Sequence, residues 1–359
     1  MPELTRSSVL GVLGVLGVLA IAGMLLVLAG GCARTPGPLE FQGPTMGTTY
    51  TVLVPRLPDG IERAAVEAAI ASVLRDADEH LSGWNDASEL ARINADAGSD
   101  WLEVSPILFA ALREASTVSA ASGGAFDVTV GPLVRAWGFG AGAMADPPPP
   151  SPEEIARLLA RVGHSRLELR ESPPGLRKGV PGLSLDLDGI APGWAVDRIA
   201  ERLDGLGIGD YLVELGGEVR ARGQSRDGRR WRIAVETPVA GERRAQAILE
   251  LDGLAVSTSG DYRDYREIDG RRISHTIDPR TGMPVSHGLA SVTVVSDSAA
   301  GADAWATALM VLGPHEGMAL ARRLGLAALF IERGPRPGTF VESETPQFGQ
   351  LRLPRGTQL

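Results

Sequence analysis

Between Asp210 and Gly260 the chain reads "DYLVELGGEVRARGQSRDGRRWRIAVETPVAGERRAQAILELDGLAVSTSG". Its apolar and alternating runs, "DYLVELGGEVRARG", "WRIAVET" and "AILELDGLAVST", follow one another across short turns with no helical period between them. Strands joined in this way pair antiparallel, because parallel neighbours need a long crossover connection. Gly216-Gly217 reads as a hairpin carrying a bulge. Similar runs occur at "LSLDLDGI" before this stretch and at "RRISHTI" and "LASVTVVS" after it. Together they predict an antiparallel-rich α+β fold and disfavour a doubly wound parallel sheet.

Upstream, "TTYTVLV" (48–54) predicts a strand, and 61–82 a helix with Val66, Ile70, Val73, Leu74, Ala77 and Leu81 on one face. Ser105-Pro106 reads as a helix start. Four consecutive prolines lead into Ser151-Pro152-Glu153-Glu154, a capping box. Further helices are expected at 193–206 and 299–313.

The chain has 359 residues and a formal net charge of −9, which argues against a broad basic surface for a polyanion. Any phosphate must be met by local donors or a metal. From Ser7 to Gly31 there is no charge, and small residues directly precede Cys32, the single cysteine. This predicts a lipoprotein-type leader over 1–31, with Cys32 lipidated, a tether over 32–43 and a catalytic domain over 44–350. An uncleaved membrane anchor is the alternative. Both readings export the globular part, and the first holds it to a membrane facing the periplasm.

Nucleotide-loop signatures are missing: "GLGIGD" (205–210) lacks the Gly-x-Gly-x-x-Gly spacing, and no Gly-Lys-Ser/Thr occurs. One cysteine and scattered histidines exclude an ordinary zinc site. A hard cation remains. On a helix, Asp303 and Thr307 stand one turn apart on the same face, a pairing that suits Mg²⁺ completed by water and phosphate, or simply a solvated carboxylate and a back-bonded threonine. Asp186 and Asp188 alternate in "LSLDLDGI" and are expected on one face of a strand. "SGGAFDVTVGPLVRAWGFG" is Gly-rich and aromatic, which permits close approach to a flat ligand. The segment Tyr262–His287 concentrates arginine, two turn signals and two histidines, of which His275 could accept a proton near neutral pH.

Taken in order, "PTMGTTYTV", "LSGWNDASELARIN", "SGGAFDVTVGPLVRAWGFG", "LDLDGIAPGWAVD", "YLVELGGEVRARG", "STSGDYRDYREIDGRRISHTIDPRTGMPVSH" and "SVTVVSDSAAGADAWATALMVLG" resemble the ApbE-type flavin transferases over about residues 43 to 330. That resemblance implies two T-fold-like halves around one FAD site. It places Met46, Trp84, Ala125, Phe126, Asp127, Asp186 and Ile277 near FAD, and Gly189, Asp303 and Thr307 around Mg²⁺. Pro192 stands at an FAD-binding position where the family often has Lys; Asp188 replaces a small residue and Trp194 a frequent Tyr. The implied reaction is Mg²⁺-dependent transfer of FMN from FAD to a threonine hydroxyl of an acceptor protein, releasing AMP, with His275 the candidate base. The implied acceptor is a subunit of a membrane redox complex. Hydrolysis of FAD to FMN and AMP, and flavin binding without turnover, are the alternatives.

Overall fold

The computed structural model describes residues 38–357 except 145, 240, 242, 243, 263, 264, 269 and 337. The expected leader, Cys32 and the first part of the tether lie outside the described residues. The second part of that tether is instead a strand. Leu39–Thr45 (β1) pairs residue by residue with Thr48–Val54 (β2), and Phe41 is buried beneath the Arg63 guanidinium, 4.4 Å from its ring. Reading 32–43 by its Pro and Gly content missed the alternation that begins at Leu39.

Eight antiparallel strands form the main sheet, in the order β1, β2, Tyr211–Leu215 (β6), Glu218–Arg222 (β7), Leu254–Gly260 (β10), Leu289–Ser296 (β13), Ala327–Arg333 (β14) and Phe340–Glu344 (β15). Three smaller sheets accompany it. Leu102–Glu103 (β3), Leu167–Glu171 (β4) and Pro174–Lys178 (β5) make one; Trp231–Glu236 (β8) with Ala245–Leu251 (β9), and Tyr265–Ile268 (β11) with Arg271–Ser274 (β12), make two hairpins. The α+β architecture is therefore the one expected, with the two halves continuous through β7 and β10.

The helices are Arg63–Leu81 (α1), Glu89–Ala95 (α2), Pro106–Ala121 (α3), Gly131–Ala136 (α4), Pro152–Leu159 (α5), Ala191–Gly205 (α6), Ala299–Leu324 (α7) and Pro346–Leu351 (α8). Helices α1, α3, α6 and α7 cover one face of the main sheet; the β8–β9 hairpin and Phe348 of α8 cover the other. Strand β13 is covered on both faces, so it is buried at every position but its last and its burial does not alternate. No helix of the described residues is long and apolar enough to cross a membrane.

Local chemistry sets most element ends. Ser105 and Ser151 cap α3 and α5 as their sequences imply. Helix α7 kinks at Gly313 (φ 77°) before Pro314, so the expected 299–313 helix is its first arm, and the second ends at left-handed Gly325. Gly216-Gly217 forms a tight two-residue turn with both φ positive and Leu215 opposite Glu218, so no bulge is needed. "LSLDLDGI" pairs with no strand and closes in a turn over Asp188 to Ile190, a second departure from the expected strands; Asp186 N–H instead donates to the Val128 carbonyl across 2.7 Å. Lys178 is buried, and its ammonium donates to the carbonyls of Ile93 and Asp96 at the end of α2.

Helices α6 and α7 touch backbone to backbone: a Cβ on Gly193 would stand 2.4 Å from the Ala299 carbonyl. Asp197 of α6 fixes their alignment by accepting from the amides of Ala299 (2.9 Å) and Ala300 (3.0 Å), and it pairs with Arg220 of β7. Removing this buried carboxylate should strand both the helix amides and the arginine. Asp197→Ala is expected to lose about 3–5 kcal/mol in urea denaturation; a loss within 0.5 kcal/mol, the range of a surface change, would show the contact to be incidental.

Candidate functional site

A cavity of ≈ 780 Å³ opens on the helix face of the sheet, where β7 and β10 end against α7. Its apolar lining comes from Phe126, Val130, Val134, Phe139, Ile277 and Val311. Its polar lining carries Asp186, Asp188, Glu218 and Asp303 with the hydroxyls of Ser259 and Thr307, and Asp303, Thr307 and Val311 stand one turn apart along α7. Trp84 and Met144 stand exposed at the mouth.

The lining follows from local structure. The turn at Gly123-Gly124 delivers Ala125 to Asp127 into α4, whose Leu133 packs with Trp137, Phe139 and Ile277 in a small core of its own. Asp127 lines the cavity, but its carboxylate is held inside the loop: it accepts from Thr129 N–H (2.8 Å), the Thr129 hydroxyl (2.6 Å) and His164 N–H. It therefore shapes the site more than it offers a free acceptor. His275 follows β12 and meets Phe139 edge-on, with centroids 6.3 Å apart. Gly189 is closely packed: a Cβ there would come within 3.3 Å of the Phe126 ring and 3.4 Å of Thr307 Oγ1.

The acids are under electrostatic load. Burial raises the carboxyl of Asp303 well above its usual range, and the charges of Glu218 and Asp188 push the same way, while the Gly193 amide of α6 opposes them. Its Oδ2 is buried without a hydrogen-bond partner. Glu218 is pushed up to about 7, first by burial; the Ser257 hydroxyl donates to it across 3.2 Å and offsets part of the shift. Asp188 also rises to about 7, from crowding by protein atoms and the Asp186 charge, although its outer edge still meets solvent at the mouth. Asp186 is raised by burial as well, relieved by the Asp188 amide and by Arg135.

Such a lining asks for a cation. Among the described residues no three His, Cys, Asp or Glu side chains form a protein-only cage. The fit is instead to a hard ion that takes few protein oxygens and completes its shell with water and phosphate. Asp303 supplies an unsatisfied buried oxygen, and Thr307 Oγ1, 3.2 Å from Ser259 Oγ, supplies a neutral one.

Of the residues singled out in the sequence, Trp84, Ala125, Phe126, Asp127, Asp186, Gly189, His275, Ile277, Asp303 and Thr307 come together here. Met46 and Pro192 do not line the cavity. Met46 occupies the β1–β2 turn at φ 47° and packs against the main core. Pro192 sits in the first turn of α6, where its lack of an N–H is harmless, and the next amide meets Asp303. The sequence reading missed Glu218 and Ser259. Glu218 was detectable: a tight turn at Gly216-Gly217 puts it opposite buried Leu215, on the inner face.

Apolar side chains interspersed with buried acids give the cavity room for a ring system and for a polar group that could be met through a cation. The chain belongs to the ApbE family, whose model matches residues 46–330. It is 40% identical over 306 residues to the FAD:protein FMN transferase of Vibrio cholerae, covering 85% of this chain and 91% of that protein. The Escherichia coli K12 protein of the same name is 36% identical over 331 residues, covering 89% and 92%. The apo flavinyl transferase ApbE of Pseudomonas stutzeri superposes with a TM-score of 0.80 at 42% identity, covering 89% of this chain and 98% of that one.

If Asp303 Oδ2 is a cation ligand, Mg²⁺ should raise the melting temperature of the parent and leave Asp303→Asn unmoved. The cation-free variant should melt at or above the cation-free parent, since it lacks one buried, repelled charge. An equal Mg²⁺ shift in both proteins would place the ion elsewhere.

Proposed function

We propose that this chain transfers FMN from FAD to a threonine hydroxyl of an acceptor protein, with Mg²⁺ at the acidic lining. FMN transfer to a protein is the activity for which its relatives are named. The observation that carries the metal-assisted reading is the buried, partnerless Asp303 Oδ2 in the lining of this cavity. Asp303, Thr307 and the Gly189 carbonyl would hold the ion, which supplies charge neutralisation at the pyrophosphate. The apolar lining, with Phe126 and Ile277, suits a ring system and keeps water off it. His275 takes the proton of the attacking hydroxyl; the new O–P bond forms at the FMN phosphorus, the P–O–P bridge breaks, and AMP leaves with the bridging oxygen. Positioning and electrostatics dominate phosphoryl chemistry of this kind.

The direct test incubates the protein with FAD, Mg²⁺ and a candidate acceptor. Flavin fluorescence on the acceptor band together with free AMP supports transfer; AMP alone reads as hydrolysis, and neither product as a carrier. His275→Ala should slow transfer by about 10²–10⁴-fold, the usual contribution of a general base, and leave FAD affinity within a few-fold. Parallel losses of affinity and rate would make His275 a ligand-positioning residue.

We also propose that Cys32 is lipidated and tethers the enzyme to a membrane on the periplasmic side, beside an acceptor subunit of a membrane redox complex. Its support is an uncharged run ending at the sole cysteine, a few residues before β1 begins at Leu39. Mass spectrometry of the native protein should find an acylated Cys32 at a new N-terminus. An intact Met1 would indicate an uncleaved anchor.

A further inference from the structure

A second cleft of ≈ 580 Å³ lies across the sheet from the first cavity. Side-chain alternation along β10 shows this. Ser257 contacts Glu218 and Ser259 contacts Thr307, so both point to the helix face, while Thr258 between them points to the other face and meets the Thr293 hydroxyl at 2.8 Å. Thr258 and Gly260 line both spaces, so only the end of β10, with the Tyr262 ring packed against Gly260, separates them.

The far wall of this cleft is β8. Four consecutive residues, Ile233 to Glu236, line it. Successive side chains of a strand point to opposite faces, so an unbroken run at a cleft means that the strand presents its edge. Hydrogen bonding on the neighbouring strand confirms the direction. The Ile248 carbonyl of β9 accepts from Leu353 N–H across 2.8 Å, on the side away from β8. Ile248 is the register partner of Ala234, and in an antiparallel ladder both members of such a pair turn their backbone groups outward. The amide and carbonyl of Ala234 therefore face the cleft. Among the described residues no strand pairs with β8 on that side.

We propose that this cleft is the acceptor's docking groove. An extended segment of the acceptor protein adds as a strand to the outer edge of β8 and passes the end of β10 at Gly260, which brings its hydroxyl into the FAD cavity. This rests on the transferase reading above and specifies how that enzyme binds its protein substrate. Strand addition at an exposed edge is a general mode of peptide capture, with main-chain hydrogen bonds supplying affinity. The adjacency of the groove to the cavity, through Thr258 and Gly260, supplies the reason for its placement.

The test uses the full chain and, as probe, an acceptor domain that the parent flavinylates in the transfer assay, so failure of the transferase reading is seen before any variant is compared. Ala234→Pro removes the outward N–H without touching a β8–β9 hydrogen bond, and proline is tolerated on strand edges. Thr49→Arg fills the cleft from an exposed position on β2. Each should raise the acceptor KM by about tenfold or more, with FAD affinity and the rate at saturating acceptor unchanged. An unchanged acceptor KM in either folded variant overturns the proposal. If Ala234→Pro does not fold, Thr49→Arg decides alone.

Discussion

Two helix starts exchange carboxylates, and the catalytic geometry hangs on that exchange. Asp197 of α6 accepts from the first amides of α7, while Asp303 of α7 receives the Gly193 amide from the first turn of α6. A carboxylate at a helix N-terminus is favoured by unpaired amides and by the helix dipole. Each helix therefore anchors the other, and the Arg220 contact carries the arrangement into β7, the strand that begins with Glu218. Ser298 completes the clamp, lying 3.0 Å from Asp197 and 2.8 Å from Glu114. A hydroxyl has one proton for two carboxyls. Burial raises the Glu114 carboxyl above its usual range; the Ser298 hydroxyl opposes that shift and the Asp197 charge adds to it.

Only one member of this exchange is fully satisfied. Asp197 has partners on both oxygens, whereas Asp303 keeps one oxygen bare and shares its surroundings with Glu218 and Asp188. In a protein selected for stability alone, such a cluster would be replaced by hydrophobic or neutral residues. The cation site proposed above rests on the position of this cluster in the ≈ 780 Å³ cavity, among apolar side chains. The same residues that make the fold tight at Gly193 thus make it strained a few residues away.

Much of this was legible before any coordinates. Antiparallel order followed from strand runs with no helix between them, and capping residues placed α3 and α5. The Asp303–Thr307 spacing placed both residues in the cavity because they lie on one uninterrupted helical arm. Errors arose where tertiary context overrode local pattern. "LSLDLDGI" has strand alternation, but its amides are taken by a loop carbonyl and by Asp186 itself. Met46 and Pro192 carry family motifs yet face the core and a helix turn. Glu218 was overlooked because a charged residue beside two glycines reads as surface until the hairpin register is known.

The composition has one more consequence. Lys178 is the sole lysine of the chain, and it sits with its ammonium against the carbonyls of Ile93 and Asp96, its basicity lowered by burial. Every other fixed cation is a guanidinium, which resists acylation and reductive amination at neutral pH. The folded domain therefore shows no primary amine to its surroundings. Amine-directed dyes, cross-linkers and reducing sugars find no lysine to attack on the folded surface.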